Sequence, residues 1–303
     1  MSNLTFKKFF IMIDLHSHSA ASDGILSPAD SARYAIEKKL TTWALTDHDT
    51  VDGLKDAAKV CAEAEINFIP GIEINIVWPA GEFHLLGLGL RRYSDELKSV
   101  IEYLTEDRKN RNQQIVEKMN EDGFICTLDE IESNFTASQI GRPHFADFLV
   151  KKGVVKTRQD AFNWFLSKGK RWYVTHQGED LETAVEAIKT SGGVPVLAHP
   201  MSLYVSWGKM DEVLTSIRDK GVMGLEAFHP GARNSECFRL EETAERLGMF
   251  VTAGSDFHGR GVRADRHLGK TAGDRKIDDR FWEEELKPAL GGDFDFRKTD
   301  WIK

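Results

Sequence analysis

What most constrains this chain is where its histidines and carboxylates fall. His16 and His18 close the apolar run Ile11–Leu15, His48 follows Trp43–Leu45, Glu73 follows Phe68–Ile69, His199 follows Val194–Ala198, and Asp256 and His258 follow Phe250–Ala253. Groups this far apart in sequence meet only where a fold gathers the ends of those runs, as the C-terminal rim of a parallel β-barrel does. The expected product is a multinuclear metal site.

Seven strands can be read, near 11–15, 42–46, 67–73, 83–89, 194–198, 222–227 and 249–253. After the first, Ser27–Pro28–Ala29–Asp30 reads as an N-cap with proline at N1, and Ala32, Ala35 and Ile36 give a helical apolar face. Leu54, Ala57, Ala58 and Cys61 repeat that pattern before strand three. Alternating strands and helices imply right-handed parallel crossovers and an α/β barrel.

The rhythm breaks after Leu90. A charged helical stretch at 95–121 is followed by Leu128–Ile131, Phe145–Lys152 and Ala161–Leu166, with no β alternation before Val194. So long an excursion is not an unstructured loop. The expected organisation is a first barrel part at 10–99, a mostly helical substrate cap at 100–175, a second barrel part at 176–273 and a tail at 274–303. In the tail, Trp282 and Leu286 anchor a last helix and Phe294, Phe296 and Trp301 close the bottom or side.

The 48 acidic against 40 basic residues leave a formal charge of −8, which disfavours attraction of long duplex nucleic acid. Bound cations would offset part of that charge locally, so a small anionic substrate is permitted. Cys61, Cys126 and Cys237 form an odd set without CxxC spacing and read as buried thiols. Phe6–Ile13 is short, is split by Lys7 and Lys8 and runs into Asp14, so it reads as a first strand and not as a signal or membrane span. A cytoplasmic location is expected.

His16–Ser17–His18 alternates along an extended chain, so both rings project to one side and can share an ion. Glu73, read at the end of its strand, has two oxygens and can bridge adjacent cations. His84 lies in an apolar strand, His199 stands before Pro200, and Asp256 and His258 share a side if their backbone is extended. Asp23 and His48 complete the candidate metal ligands. Asp47 and Asp49 flank His48 and read either as partners of its second nitrogen or as turn caps. His176 and His267 read as surface residues.

Gly141–Arg142–Pro143–His144 falls at a helix N-terminus in the insert, where Arg142 can grip phosphate oxygens as a fork and His144 can add a donor or protonate a leaving oxygen. His229 and Arg233, after strand six, offer a second such pair. Walker, dinucleotide and nucleophile-elbow motifs are missing from the sequence, so water activated by metal is the economical chemistry.

Taken in order, His16-x-His18, Ser22–Asp23–Gly24, Thr46–Asp47–His48–Asp49, Gly71–Ile72–Glu73, His84, Ala198–His199–Pro200 and Gly254–Ser255–Asp256–Phe257–His258–Gly259 resemble the polymerase and histidinol phosphatase family of metal-dependent phosphoesterases. The resemblance implies a distorted seven-stranded (β/α) barrel, in agreement with the strand count. It also implies a first metal on His16, His18, Glu73 and Asp256, a second on Glu73, His84 and His199, and a third on Asp23, His48 and His258. Asp23 stands where some members carry histidine, and its harder oxygen favours manganese or iron over zinc. Two or three divalent ions, Mn2+ first, are expected.

The insert is similar to that of a branch containing nucleoside 3′,5′-bisphosphate phosphatases and 5′-to-3′ exoribonucleases of short RNA, in which Arg142 and His144 would contact substrate phosphate. Ala232 stands where that branch often has another histidine. The expected activity is removal of a terminal phosphate from a nucleoside 3′,5′-bisphosphate. Exonucleolytic cleavage of short RNA, histidinol phosphate hydrolysis, amide hydrolysis and non-catalytic nucleotide binding are the alternatives.

Overall fold

The computed structural model describes residues 11–64, 66–263 and 265–303. Phe6–Phe10, the front of the expected first strand, lie outside the described residues. The chain runs β1 Met12–Asp14, α1 Pro28–Glu37, β2 Leu40–Leu45, α2 Leu54–Glu63, β3 Asn67–Ile76 and β4 Phe83–Leu88. It continues with α3 Asp95–Glu121, α4 Leu128–Glu132, α5 Arg142–Lys151 and α6 Arg158–Ala161. The second barrel part comprises α7 Leu181–Thr190, β5 Val194–Leu197, α8 Trp207–Asp219, β6 Gly224–Phe228, α9 Asn234–Leu247 and β7 Phe250–Ala253.

The seven strands form one sheet in sequence order. Its two edges meet: the Leu15 amide donates to the Ala253 carbonyl at 3.3 Å, Asp256 N to His16 O at 2.9 Å and His18 N to Phe257 O at 2.8 Å. A parallel bridge between Ser17 and Phe257 completes the seam. The result is a distorted barrel.

Parallel pairing does not extend to β4, which is antiparallel to both β3 and β5. Residues 77–82 are too few for a parallel crossover, which takes a dozen or more, so the chain turns straight back as a hairpin. The start of β4, with His84, therefore lies at the same rim as the ends of β1, β2, β5, β6 and β7. Pairing with β4 also carries β3 on to Ile76, so Glu73 sits within a strand, opposite Leu86, and not at a turn.

Helices cover the outside by the faces read from sequence. The Ser27 hydroxyl accepts from the Asp30 amide at 3.1 Å, and Ala32 and Ala35 are buried beneath it. Leu54, Ala57, Ala58 and Cys61 bury one face of α2, and Leu181, Val185 and Ile188 one face of α7. α9 stops at Gly248, whose φ of 67° suits a residue without Cβ.

α3 joins two cores. Its first half places Leu97, Val100, Ile101 and Leu104 in the barrel core, and its second half places Ile115, Val116 and Met119 in a separate core with Phe145, Phe148, Leu149, Leu166 and Trp172. Because 27 helical residues span about 40 Å, α3 acts as a strut holding the insert over the rim. The insert is tied down by Ser138 N to Ala21 O at 3.2 Å, Lys168 Nζ to Ala80 O at 2.8 Å and a buried ion pair between Arg108 and Asp49. At the other end, Phe296 meets Phe68 edge-on and the Trp301 indole donates to Leu90 O at 2.7 Å, closing the bottom.

Candidate metal and anion site

At the rim, side chains from the ends of β1, β2, β5 and β7 and the start of β4 converge on Glu73, which is fully buried. One oxygen, Oε2, lies 3.1 Å from both His16 Nε2 and His18 Nε2 and 3.2 Å from His48 Nδ1. Asp256 Oδ1 joins that group at 3.4 Å from His18 Nε2 and 3.8 Å from His16 Nε2. The other oxygen, Oε1, lies 2.9 Å from His84 Nδ1 and 2.9 Å from His199 Nε2, which are themselves 3.3 Å apart. Asp23 Oδ1 lies 3.2 Å from His258 Nε2 and 4.0 Å from His48 Nε2.

Three donor groups thus adjoin one another, and their chemistry fits cations. His258 Nδ1 must donate to the Asp256 carbonyl at 2.8 Å, which leaves the Nε2 lone pair facing Asp23. His16 Nδ1 is 3.0 Å from Glu226 Oε1, which puts its lone pair on the Nε2 that faces Glu73. His18 Nδ1 and Asp23 Oδ1 are buried without any hydrogen-bond partner among the described residues. Imidazole nitrogens and carboxylate oxygens aimed at common centres are able to hold divalent cations.

Electrostatics agree. Burial alone would raise the Glu73 carboxyl, yet the rings of His48, His16 and His84 outweigh it and hold the group well below its usual range. Asp256 and Asp23 are held low against burial in the same way, in each case first by His258. Burial opposes the charge on His18, but Asp256 and Glu73 push it up to about 10; at His48 burial prevails and takes it down to about 3.

The backbone is strained where it carries these groups. His199 has φ 27°, Asp256 φ 52° and Asp49 φ 52°, all in the left-handed region. The Asp256–His258 pair is therefore not extended as the sequence suggested; the turn itself aims both side chains. Gly254 allows the close approach, since a Cβ there would lie 2.2 Å from His16 Cβ and 2.6 Å from Glu226 Oε1.

Above the clusters is a cavity of about 690 Å³. Arg142 lines it, 3.2 Å from Glu82 Oε1 and over the Tyr173 ring. His229 lines it too: its Nδ1 accepts from Gly231 N, so Nε2 carries the proton facing Asp256 Oδ2 at 3.3 Å. His144 is placed differently. Its Nδ1 accepts from Gly141 N at 3.0 Å, capping α5, and its ring packs edge-on against Phe135. Arg233 is largely exposed, 3.9 Å from Glu236, and is not among the residues lining the cavity, although its neighbours Gly231 and Ala232 are.

A family model described as the PHP domain matches residues 14–167. The chain belongs to the PHP domain family. It is 32% identical over 91% of its length to a 3′,5′-nucleoside bisphosphate phosphatase of Chromobacterium violaceum, spanning 99% of that protein. It is 31% identical over 82% of its length to the 5′-3′ exoribonuclease Rnm of Escherichia coli, spanning 86% of it. Among solved structures, an amidohydrolase of C. violaceum with bound sulfate and no metal superposes with a TM-score of 0.81 at 31% identity, covering 92% of this chain and 96% of that one.

Beyond the PHP donors expected from sequence, the structure adds residues that the sequence reading missed. Glu226, buried on β6, also accepts from His199 N at 2.8 Å. Arg263 and Arg266 reach Asp256 Oδ2 at 3.2 and 3.4 Å. Arg108, Arg111 and His176 line the cap side of the cavity. Asp47 and Asp49 do not orient the His48 ring: Asp47 accepts from Ser19 and Ser22, and Asp49 pairs with Arg108.

Proposed function

We propose that this chain is a metal-dependent phosphoesterase that hydrolyses a terminal phosphate from a nucleoside 3′,5′-bisphosphate. The observation that carries the reading is the joining, in one cavity, of a floor of metal donors with walls of arginine. A neutral amide substrate would gain little from Arg108, Arg111, Arg142, Arg263 and Arg266, whereas a phosphate in this cavity would have charged donors to bind its oxygens. The name of the Chromobacterium violaceum phosphatase supports the same substrate class. A cavity of about 690 Å³ suits a mononucleotide.

His16, His18, Glu73 and Asp256 would hold one ion, Glu73, His84 and His199 a second, and Asp23, His48 and His258 a third, with manganese or iron favoured by the oxygen donors. When bound, such ions supply charge for the phosphate oxygens and acidify a water. Arg263 and Arg266, beside Asp256, orient the reacting phosphate. His229 presents its Nε2 proton to the same region, so of the two candidate histidines it is the one that serves the leaving oxygen. Arg142 steers the nucleotide from the opposite wall, and His144 sets the start of α5 so that Arg142 can do so.

Cleavage of short 5′-phosphorylated RNA is the second reading, favoured by the relatives named exoribonuclease. No described helix is long and apolar enough to cross a membrane. Buried, unpaired Cys61, Cys126 and Cys237 support a cytoplasmic enzyme. A matched assay decides: after metal reconstitution, adenosine 3′,5′-bisphosphate should outpace 5′-phosphorylated oligoribonucleotides, histidinol phosphate and simple sugar phosphates. Equal rates on sugar phosphates would defeat the nucleotide reading.

A further inference from the structure

α3 carries Arg108 and Arg111 one turn apart, and both line the cavity together with His176. Arg108 has a counter-ion in Asp49. Arg111 has none within ion-pair distance among the described residues, and its one hydrogen bond runs to the Asn112 side-chain oxygen at 2.9 Å. It is nevertheless only 4% exposed. The Nε atoms of Arg108 and Arg111 are buried without hydrogen-bond partners, as is Nε2 of His176, which stands 3.9 Å from Asp49 Oδ2.

Burying a cation without an anion is strongly unfavourable. Burial first, then the neighbouring Arg108 and Arg142, pull Arg111 ionisation well below its usual value. Asp107 and Asp49 oppose that pull and do not reverse it. The ligand-free protein thus holds a guanidinium where solvation and its neighbours work against it. A residue kept only for packing would do better as methionine or leucine. Several unpartnered nitrogens around one cavity wall match a tetrahedral anion, and they stand on the cap side, across from Asp256 with its own pair, Arg263 and Arg266.

We propose that Arg111, with Arg108 and His176, forms a second anion subsite that grips the phosphate left uncleaved, and that this grip makes a second phosphate a condition of rapid turnover. The proposal rests on the phosphoesterase reading and adds to it the residue that separates bisphosphates from monophosphates.

The test compares wild type with Arg111→Met and Arg111→Lys, metal-loaded, on adenosine 3′,5′-bisphosphate and on adenosine 3′- and 5′-monophosphates. Arg111→Met should lower kcat/KM for the bisphosphate on the order of 100-fold, mostly through KM, and change the monophosphates within about threefold. Arg111→Lys, which keeps the charge and loses the fork, should fall between. Thermal unfolding gives an independent readout. Without ligand, Arg111→Met should melt higher than wild type, and in chelator its stabilisation by inorganic phosphate should be smaller.

An equal fall on all substrates, or a lower melting temperature with an unchanged phosphate increment, would make Arg111 a packing residue and overturn the proposal. If wild type hydrolyses none of the nucleotides, the functional reading fails by itself; the phosphate increment in chelator then still decides the subsite.

Discussion

Replacing Glu226 with glutamine keeps the side chain's shape and removes its charge. In the native protein one carboxylate oxygen faces His16 Nδ1 at 3.0 Å and the other accepts from the His199 amide at 2.8 Å, so both neighbours are donors. An amide has one acceptor oxygen and must turn its NH2 toward one of them. Turned to His199 it leaves a buried N–H unpaired. Turned to His16 it forces Nδ1 to accept, which moves the ring proton to Nε2 and removes the lone pair that faces Glu73. Loss of such a partner typically costs about 10–100-fold in metal affinity, or about 1.4–2.7 kcal/mol. Calorimetric titration of the metal-stripped proteins with Mn2+ measures it directly, and circular dichroism checks the fold. Wild-type affinity in a folded Glu226→Gln protein would refute the claim that Glu226 sets the His16 tautomer.

Gly254→Ala should destabilise the protein by about 1–3 kcal/mol and lower its metal content, because the new methyl group would collide with His16; normal melting and normal metal content would show that the seam yields easily. Arg108→Ala leaves Asp49 buried without its partner and should cost about 3–5 kcal/mol in chemical denaturation. Burial opposes the Asp49 charge, yet Arg108 lowers its pKa below the unfolded value. The pairing therefore stabilises above that unfolded value and is lost as pH falls through the folded one. Acid unfolding of Arg108→Ala should accordingly begin at higher pH than in wild type, and an unchanged acid transition would count against the pairing. Burial pushes the Cys61 thiol up to about 12, so alkylation of the native protein at mildly alkaline pH should leave Cys61 untouched until denaturant is added, as peptide mass spectrometry can verify.

The side chains that converge at the rim could be read from the sequence because histidine and carboxylate at the ends of apolar runs have few other uses, and because the barrel follows from the spacing of those runs. The direction of β4 was also written there, in the shortness of residues 77–82. Glu226 left a trace as well, a lone carboxylate inside the apolar Leu225–Phe228 segment. Arg108 and Arg111 left none: they lie among many charged residues of α3, and only the placement of the cap on the rim separates a cavity-facing guanidinium from a solvated one. The opposite held for Arg233 and His144, where the right residue types sat near the rim but take part in local capping of α9 and α5 and do not line the cavity. Closure of the sheet between β1 and β7 depends on register across the whole chain, which no local pattern encodes.

The central claim is that Glu73 bridges cations held by residues from distant strands. Anomalous diffraction from a crystal soaked with Mn2+ tests it most directly. One peak is expected roughly 2.0–2.3 Å from Glu73 Oε1 shared with His84 and His199, and another at similar distance from Oε2 shared with His16, His18 and Asp256. No peak between these side chains in a crystal that takes up manganese elsewhere would contradict it.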